Sequence, residues 1–289
     1  MTAYNSIHRQ QLFHWIGTHI DRNAEHRRLD DTSRQEYVNC LKGALRKGLW
    51  VKSPREPDQL GDGSLIKVHR PITCFTEWSL DQSLPHTTRY GRLGLGFPKK
   101  FVLSRGGQPV IYVRDSTKND PYTTALKTLA RFFQSDDAKK RMTPSKLRIL
   151  AQHFDYLSHF TKRIRRRSLP KVVPTKKALP PVKAVGKRSA PKAIDPFIRR
   201  FGSTLHFLEE REWRIVYDET LDDFFSNGPG PPGPEYYLPF KPGLELFTVV
   251  LPDNHTVSMA MHDTQVRKNL FPADSPHVTI ISLQDVGTF

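Results

Sequence analysis

The chain has 289 residues, 37% of them hydrophobic, and its 17 Phe, 9 Tyr and 4 Trp supply ample material for a packed core. Its formal net charge is +16, yet twelve Lys or Arg and no Asp or Glu lie between Lys162 and Lys192, which leaves only +4 for the other 258 residues. No run approaches the roughly 20 apolar residues of a membrane span, the first residues carry no apolar signal region, and Cys40 and Cys74 have no partner at metal-ligand spacing; the reading is a soluble cytoplasmic chain with free, buried thiols, no metal and no membrane contact.

In chain order, Gln11 to Ile16 is a short aromatic run that reads as a strand closed by Gly17. A helix follows from about Thr32 to Lys47, capped by Asp31 or Thr32 and ended by Gly48. Tyr37, Cys40, Leu41, Ala44 and Leu45 fall on one face of it. Lys52 to Ser64, rich in Pro, Asp and Gly, is a loop. Four short strands are then predicted: Ile72 to Thr76, Leu93 to Phe97, Phe101 to Leu103 and Pro109 to Val113, the last two as a hairpin. Leu126 to Phe133 and Pro144 to about Ile164 read as helices, the second with Leu147, Leu150, Phe154, Leu157 and Phe160 as a core-facing stripe.

The basic segment contains five prolines, so it fits neither a helix nor a central strand. Like charges extend such a chain. Its Lys162, Arg163, Arg165, Arg166, Arg167, Lys171, Lys176 and Lys177 are candidate contacts for a polyanion, so the segment is either a tether to nucleic acid or ribosomes or a solvated linker. Beyond it, Leu205 to Leu208 and Trp213 to Tyr217 are strand material, and Asn227 to Pro234 is an exposed loop. Leu244 to Leu251, Val257 to Met261 and His277 to Leu283 are strands, with a short helix near Thr264 to Leu270. The expected organisation is one α+β core in two parts, 1–161 and 200–289, interrupted by a flexible, disordered insert at 162–199.

Four places bear on chemistry. His14 sits among apolar neighbours, and Cys74-Phe75-Thr76-Glu77 ends an apolar strand in a hydroxyl and a carboxylate. The glycines of Tyr90-Gly91-Arg92-Leu93-Gly94-Leu95-Gly96-Phe97 lead into a hairpin rather than a helix, so they mark close sheet packing and not a dinucleotide loop. On a strand, Glu210, Glu212 and Arg214 share one face while Trp213 and Ile215 point to the core. Such a carboxylate pair either grips ribose hydroxyls and stabilises a developing cation, or forms a salt-bridge ladder with Arg214. There is no Walker loop, Gly-x-Ser-x-Gly or His-Glu-x-x-His.

Phe13-His14-Trp15-Ile16-Gly17, the Cys-Phe-Thr-Glu block, Tyr90-Gly91-Arg92 with its following glycines, and Glu210-Arg211-Glu212-Trp213-Arg214 occur here in an order that resembles the AbiGi-type abortive-infection proteins of bacterial phage defence. The resemblance implies an antiviral role as the antitoxin-like partner of a toxin, with a toxin or phage protein as its binding partner. More distantly the layout is similar to ADP-ribosyltransferase-like folds. That likeness implies a mixed, mostly antiparallel split sheet with flanking helices, and NAD as cofactor. His14 would then bind the cofactor, Thr76 support it, Tyr90 stack on nicotinamide, Glu212 act in catalysis and Glu210 assist. Two functions follow, a regulator that binds a partner or nucleic acid without chemistry, and an NAD-using transferase.

Overall fold

The computed structural model describes residues 11–23, 29–52, 70–77, 79–114, 121–164, 211–217, 225–230, 233–272 and 277–286. The first elements are β1 (Gln11–Ile16), α1 (Thr18–Asn23), α2 (Asp31–Lys47), β2 (Leu49–Val51) and β3 (Ile72–Thr76). After them come α3 (Leu84–Tyr90), β4 (Leu93–Pro98), α4 (Lys99–Ser104), β5 (Gln108–Pro109) and β6 (Ile111–Arg114). A helical run follows, α5 (Pro121–Gln134), α6 (Asp136–Arg141) and α7 (Pro144–His159), and then β7 (Thr161–Ile164). The C-terminal part supplies β8 (Glu212–Val216), β9 (Phe225–Gly230), β10 (Gly233–Leu238), β11 (Thr248–Leu251), α8 (Asn254–His262), α9 (Thr264–Leu270) and β12 (Thr279–Ser282).

The fold is α+β, built on a mixed, mostly antiparallel seven-stranded sheet in the order β12-β11-β4-β1-β3-β8-β5. Only β11 and β12 run parallel within it. β8 and β11, from beyond the basic segment, pair with β3 and β4 from before it. A three-stranded sheet (β2-β10-β9) and the parallel pair β6-β7 complete the strand pairing.

Alternation along the strands divides the sheet into two faces. Leu12, Phe75, Leu93, Leu95, Phe97, Ile215, Val249 and Leu251 point to the larger core. The cover there is α2, whose Tyr37, Val38, Leu41 and Ala44 are buried, together with Ala260 of α8 and Val266 and Leu270 of α9. Asp30, rather than Asp31 or Thr32, caps α2 by accepting from the Ser33 amide. Gly48, at φ 96°, closes it. The opposite face carries Phe13, Trp15 and Val250 under Leu80, Leu283 and Tyr90, and separately Ile72 and Val216 under Phe160 and Tyr156.

The glycines of β4 do pack tightly. A Cβ on Gly94 would stand 2.7 Å from the Trp15 ring, and one on Gly96 2.8 Å from the Phe13 ring. Elsewhere four sequence expectations fail. Phe101 to Leu103 is helical, in α4 directly after Pro98, and Phe101 and Val102 turn into the core, so a helix rather than a hairpin follows the glycine run. Residues 225–230 and 233–238 pair antiparallel despite their Gly and Pro content, where a loop was expected. Val257 to Met261 lies in α8, begun by Asp253 accepting from the Thr256 amide. Finally, the helix from Pro144 stops at His159 and β7 begins at Thr161, so the boundary expected at residue 162 falls inside a strand.

Candidate functional site

β8 occupies the place where the two halves of the chain meet. Its register sets Glu212 opposite Thr76, Trp213 opposite Phe75 and Arg214 opposite Cys74. Thr76 in turn pairs with Phe13 of β1. Cys74, Thr76, Glu212 and Arg214 therefore share the face that carries Phe13 and Trp15.

β7 reaches this face because the chain at β5-β6 changes partners. The Val110 amide donates to the Glu212 carbonyl at 2.8 Å, and the next amide, of Ile111, donates to Phe160 at 2.6 Å. From there β6 runs parallel to β7, with Tyr112 opposite Lys162. Lys162 Nζ lies 2.8 Å from Glu212 Oε2, and Arg214 Nε lies 2.7 Å from Oε1. All three side chains are at least nine-tenths buried. Arg214 Nη1 also donates to the His159 carbonyl at 2.7 Å.

A second polar group continues from there into α7. The His159 ring donates from Nδ1 to the Asp155 carbonyl at 2.8 Å and accepts the Arg70 amide on Nε2 at 3.2 Å. Arg70 Nε meets Asp155 Oδ2 at 2.8 Å. Asp155 and His159 occupy the inward side of α7, and Leu150 and Leu157 turn outward as a result. The stripe expected to be core is buried only at Phe154 and Phe160, with Leu147 half-buried.

The electrostatics follow from burial and from these partners. Burial alone would raise the Glu212 carboxyl, but Arg214 and Lys162 outweigh it and hold the group down at about 2. Burial and the Glu212 charge push the Cys74 thiol well above its ordinary value. His86 of α3 lies within electrostatic reach of Glu212 and Lys162, and burial and Arg89 lower its imidazole to about 4. Its ring stacks on Tyr90 with centroids 6.0 Å apart. Glu77 ends β3 bonded to Lys99 of α4 and to the indole nitrogen of Trp213, at 3.0 Å for the latter, which fastens the start of β8.

The residues expected to hold NAD are thus only partly gathered. Thr76, Tyr90 and Glu212 belong to one face. His14, opposite Leu95 in register, belongs to the other. There its Nδ1 bonds the Cys74 carbonyl at 2.8 Å, its ring tilts against Phe75, and burial lowers its imidazole to about 4. Glu212 has each oxygen engaged by a buried cation and is itself nine-tenths buried, so it faces the interior rather than a ribose hydroxyl. This arrangement does not fit the cofactor. Glu210 lies outside the described residues.

The basic candidates also divide. Lys162 is corrected from a polyanion contact to an interior cation, because Glu212 of the seven-stranded sheet pairs with it in the interior. Arg163 lies on β7, and Arg165, Arg166, Arg167, Lys171, Lys176 and Lys177 are outside the described residues. Sequence reasoning gave no role to His86 or to the Asp155–His159 pair; the signal for the latter was their four-residue spacing on one helix. Among the described residues no group of three or more His, Cys, Asp or Glu could hold a metal ion, and no helix is long and apolar enough to cross a membrane.

Residues 58–169 match the family model described as putative abortive phage resistance protein AbiGi, antitoxin. The matched segment contains β3 to β7, hence Cys74 to Glu77, the glycine-bearing β4 and the three-helix run α5 to α7. It ends before β8. The AbiGi resemblance seen in the motifs is thus carried by this middle part of the chain, and it supports a phage-resistance protein of the abortive-infection kind. No curated protein and no solved structure matches the chain, so the likeness to ADP-ribosyltransferases gains no support.

Proposed function

We propose that this protein is the antitoxin-like component of an abortive-infection pair, working by binding a partner protein rather than by chemistry on NAD. The reading is supported above all by the state of Glu212: the residue a transferase would need is an interior counter-charge between Lys162 and Arg214. A carboxylate whose charge is already balanced by two buried cations has little left to offer a developing ribose cation. The antitoxin role is the one printed for the family model matched over residues 58–169.

Co-expression tests this directly. A toxin of an abortive-infection pair is induced in bacteria with or without the full-length chain, and growth and co-elution of the two proteins are measured. The expected result is restored growth and a complex that survives gel filtration, with no NAD consumed by the purified protein. NAD turnover without growth rescue or complex formation overturns the reading in favour of the transferase.

A further inference from the structure

The outer edge of a sheet presents unpaired amides and carbonyls that template pairing with another chain, so proteins shorten such edges or place proline or charge on them. Here the edges are treated unequally. At one end of the seven-stranded sheet β5 is two residues long and ends in Pro109. In the three-stranded sheet the outer strand β9 carries Pro229 between two glycines. β12, at the other end of the large sheet, has neither protection. From His277 to Gln284 the chain contains no Pro, Gly, Lys, Arg, Asp or Glu, and its centre is Val278-Thr279-Ile280-Ile281.

The geometry identifies the free groups. The Thr279 amide donates to the Phe247 carbonyl at 2.9 Å, towards β11. Main-chain groups alternate sides along a strand, so the amide and carbonyl of Ile280 point away from β11, where no strand lies among the described residues. Ser282, whose main chain points the same way, is 2% exposed and runs into the short turn Leu283–Val286, which makes Ile280 the accessible centre of the edge. Ile280 and Ile281 are half-buried, the first against the larger core and the second against the cluster of Phe13, Trp15 and Val250.

We infer that β12 is the seam of a homodimer, in which β12 of a second copy pairs antiparallel with it about a two-fold axis beside Ile280 and joins two seven-stranded sheets into one. The edge is self-complementary: each Ile280 amide donates to the Ile280 carbonyl of the other copy. Ile280 then lies beside its own copy and widens the larger core, while on the opposite face Thr279 lies beside Ile281 of the second copy. The net charge of +16 does not oppose this, because no charged residue falls between His277 and Gln284. For the same reason the edge offers a foreign strand no charge by which to be chosen, whereas the two-fold pairing needs only the strand itself.

Light scattering on the full-length protein over a concentration series tests this, and the mass should rise towards twice 33.3 kDa. Ile280→Pro removes an amide that faces away from β11 and should raise the dissociation constant by about tenfold or more. Thr279→Lys, at an exposed side chain, sets like charges across the seam and should act in the same direction. Circular dichroism and thermal melts verify that both variants keep the fold. Oxidised Ile280→Cys should trap a disulfide-linked dimer, because directly opposed Cα atoms of such a pair stand about 5.5 Å apart. Thr279→Cys should not, because its two copies are out of register and beyond the roughly 7 Å that a disulfide spans. The wild type, with Cys40 and Cys74, sets the background. A monomer at every concentration overturns the proposal, as does a dimer indifferent to both Ile280→Pro and Thr279→Lys, or equal trapping at 279 and 280. A wild type that stays monomeric, with a proline variant that loses a co-expressed toxin, also overturns it, because the edge then takes a strand of the toxin. Dimerisation is measured without any toxin, so its failure leaves the antitoxin reading standing.

Discussion

Replacing Glu212 with Gln keeps the size of the side chain and removes its charge, so the buried Lys162 and Arg214 both lose the carboxylate they share. Removing one partner of a buried pair costs about 3–5 kcal/mol. Two buried cations lose it together, which puts the expected loss near the top of that range, a large part of the roughly 5–15 kcal/mol that holds a domain together. The midpoint of thermal unfolding should fall by roughly 8–20 °C at about 2–4 °C per kcal/mol. Fluorescence suits the assay because Trp213 is the neighbour of both Glu212 and Arg214 on β8. A compensated variant, Lys162→Met with Glu212→Leu and Arg214→Met, removes all three charges together. It should recover most of the loss, apart from about 1 kcal/mol for the His159 carbonyl that Arg214 no longer satisfies. Glu212→Gln within about 1 kcal/mol of wild type would refute the reasoning, since two buried cations cannot lose a shared carboxylate so cheaply. Loss of defence in Glu212→Gln alone is therefore no sign of catalysis, whereas defence in the folded, compensated variant shows that the carboxylate is dispensable.

Acid should weaken the fold in two stages. His14 and His86 are held at about 4 against an ordinary 6.5, so their contribution is complete above 6.5 and is lost as the pH falls to 4, on the order of 3 kcal/mol for each; Glu212, at about 2 against 4.5, contributes above 4.5 and is lost below it. Urea midpoints at pH 7.5, 5.5 and 4.5 should fall in that order, and a flat profile would contradict the burial of the two imidazoles. Gly43→Ala should stabilise by about 1 kcal/mol, because Gly43 lies inside α2 with open space at its Cβ position; Gly91→Ala should destabilise by more than that, because Gly91 sits at φ 103° against the Gly17 backbone. Paired thermal melts would show the opposite signs. Alkylation of the native protein should label Cys74 more slowly than Cys40, with both becoming fast in urea; rapid native labelling of Cys74 would place its thiol outside the interior.

Local chemistry made much of the frame readable in advance. β1, α2 with its closing glycine, β3, β4, β8 and α9 follow from alternation, helical spacing and capping residues, and the tight packing at Gly94 and Gly96 follows from the glycines themselves. The errors lie where tertiary context overrides propensity. The apolar run at Phe101 reads as a strand, but it lies in the helix from Lys99, where Phe101 and Val102 are buried in the core. Val257 to Met261 gives the same β-like signal, yet a capping aspartate four residues upstream makes it helical. The stripe on α7 has the right period and the wrong direction, because Arg70 holds the Asp155 carboxylate and the His159 ring inward, which leaves Leu150 and Leu157 outside. At the site, the ladder of Glu212 with Arg214 was legible from spacing two on a strand. Its burial was not, since it depends on a partner fifty residues earlier. Lys162 looked like the first charge of a tether and proves to be an interior residue for the same reason.

The strand order also dictates when the protein can exist. β4 waits for β11 and β3 waits for β8, so both inner edges of the N-terminal strands stay open until residues far downstream have been made. At synthesis rates of about 5–20 residues per second, the interval between completing β4 and completing β11 is roughly 10–30 s. During it the nascent chain carries exposed hydrogen-bonding edges that invite pairing with other chains or recognition by chaperones and proteases. A message cut short inside the basic segment would yield two open edges and half a core. The supply of folded protein therefore stops as soon as translation is interrupted, with no shorter product able to stand in for it.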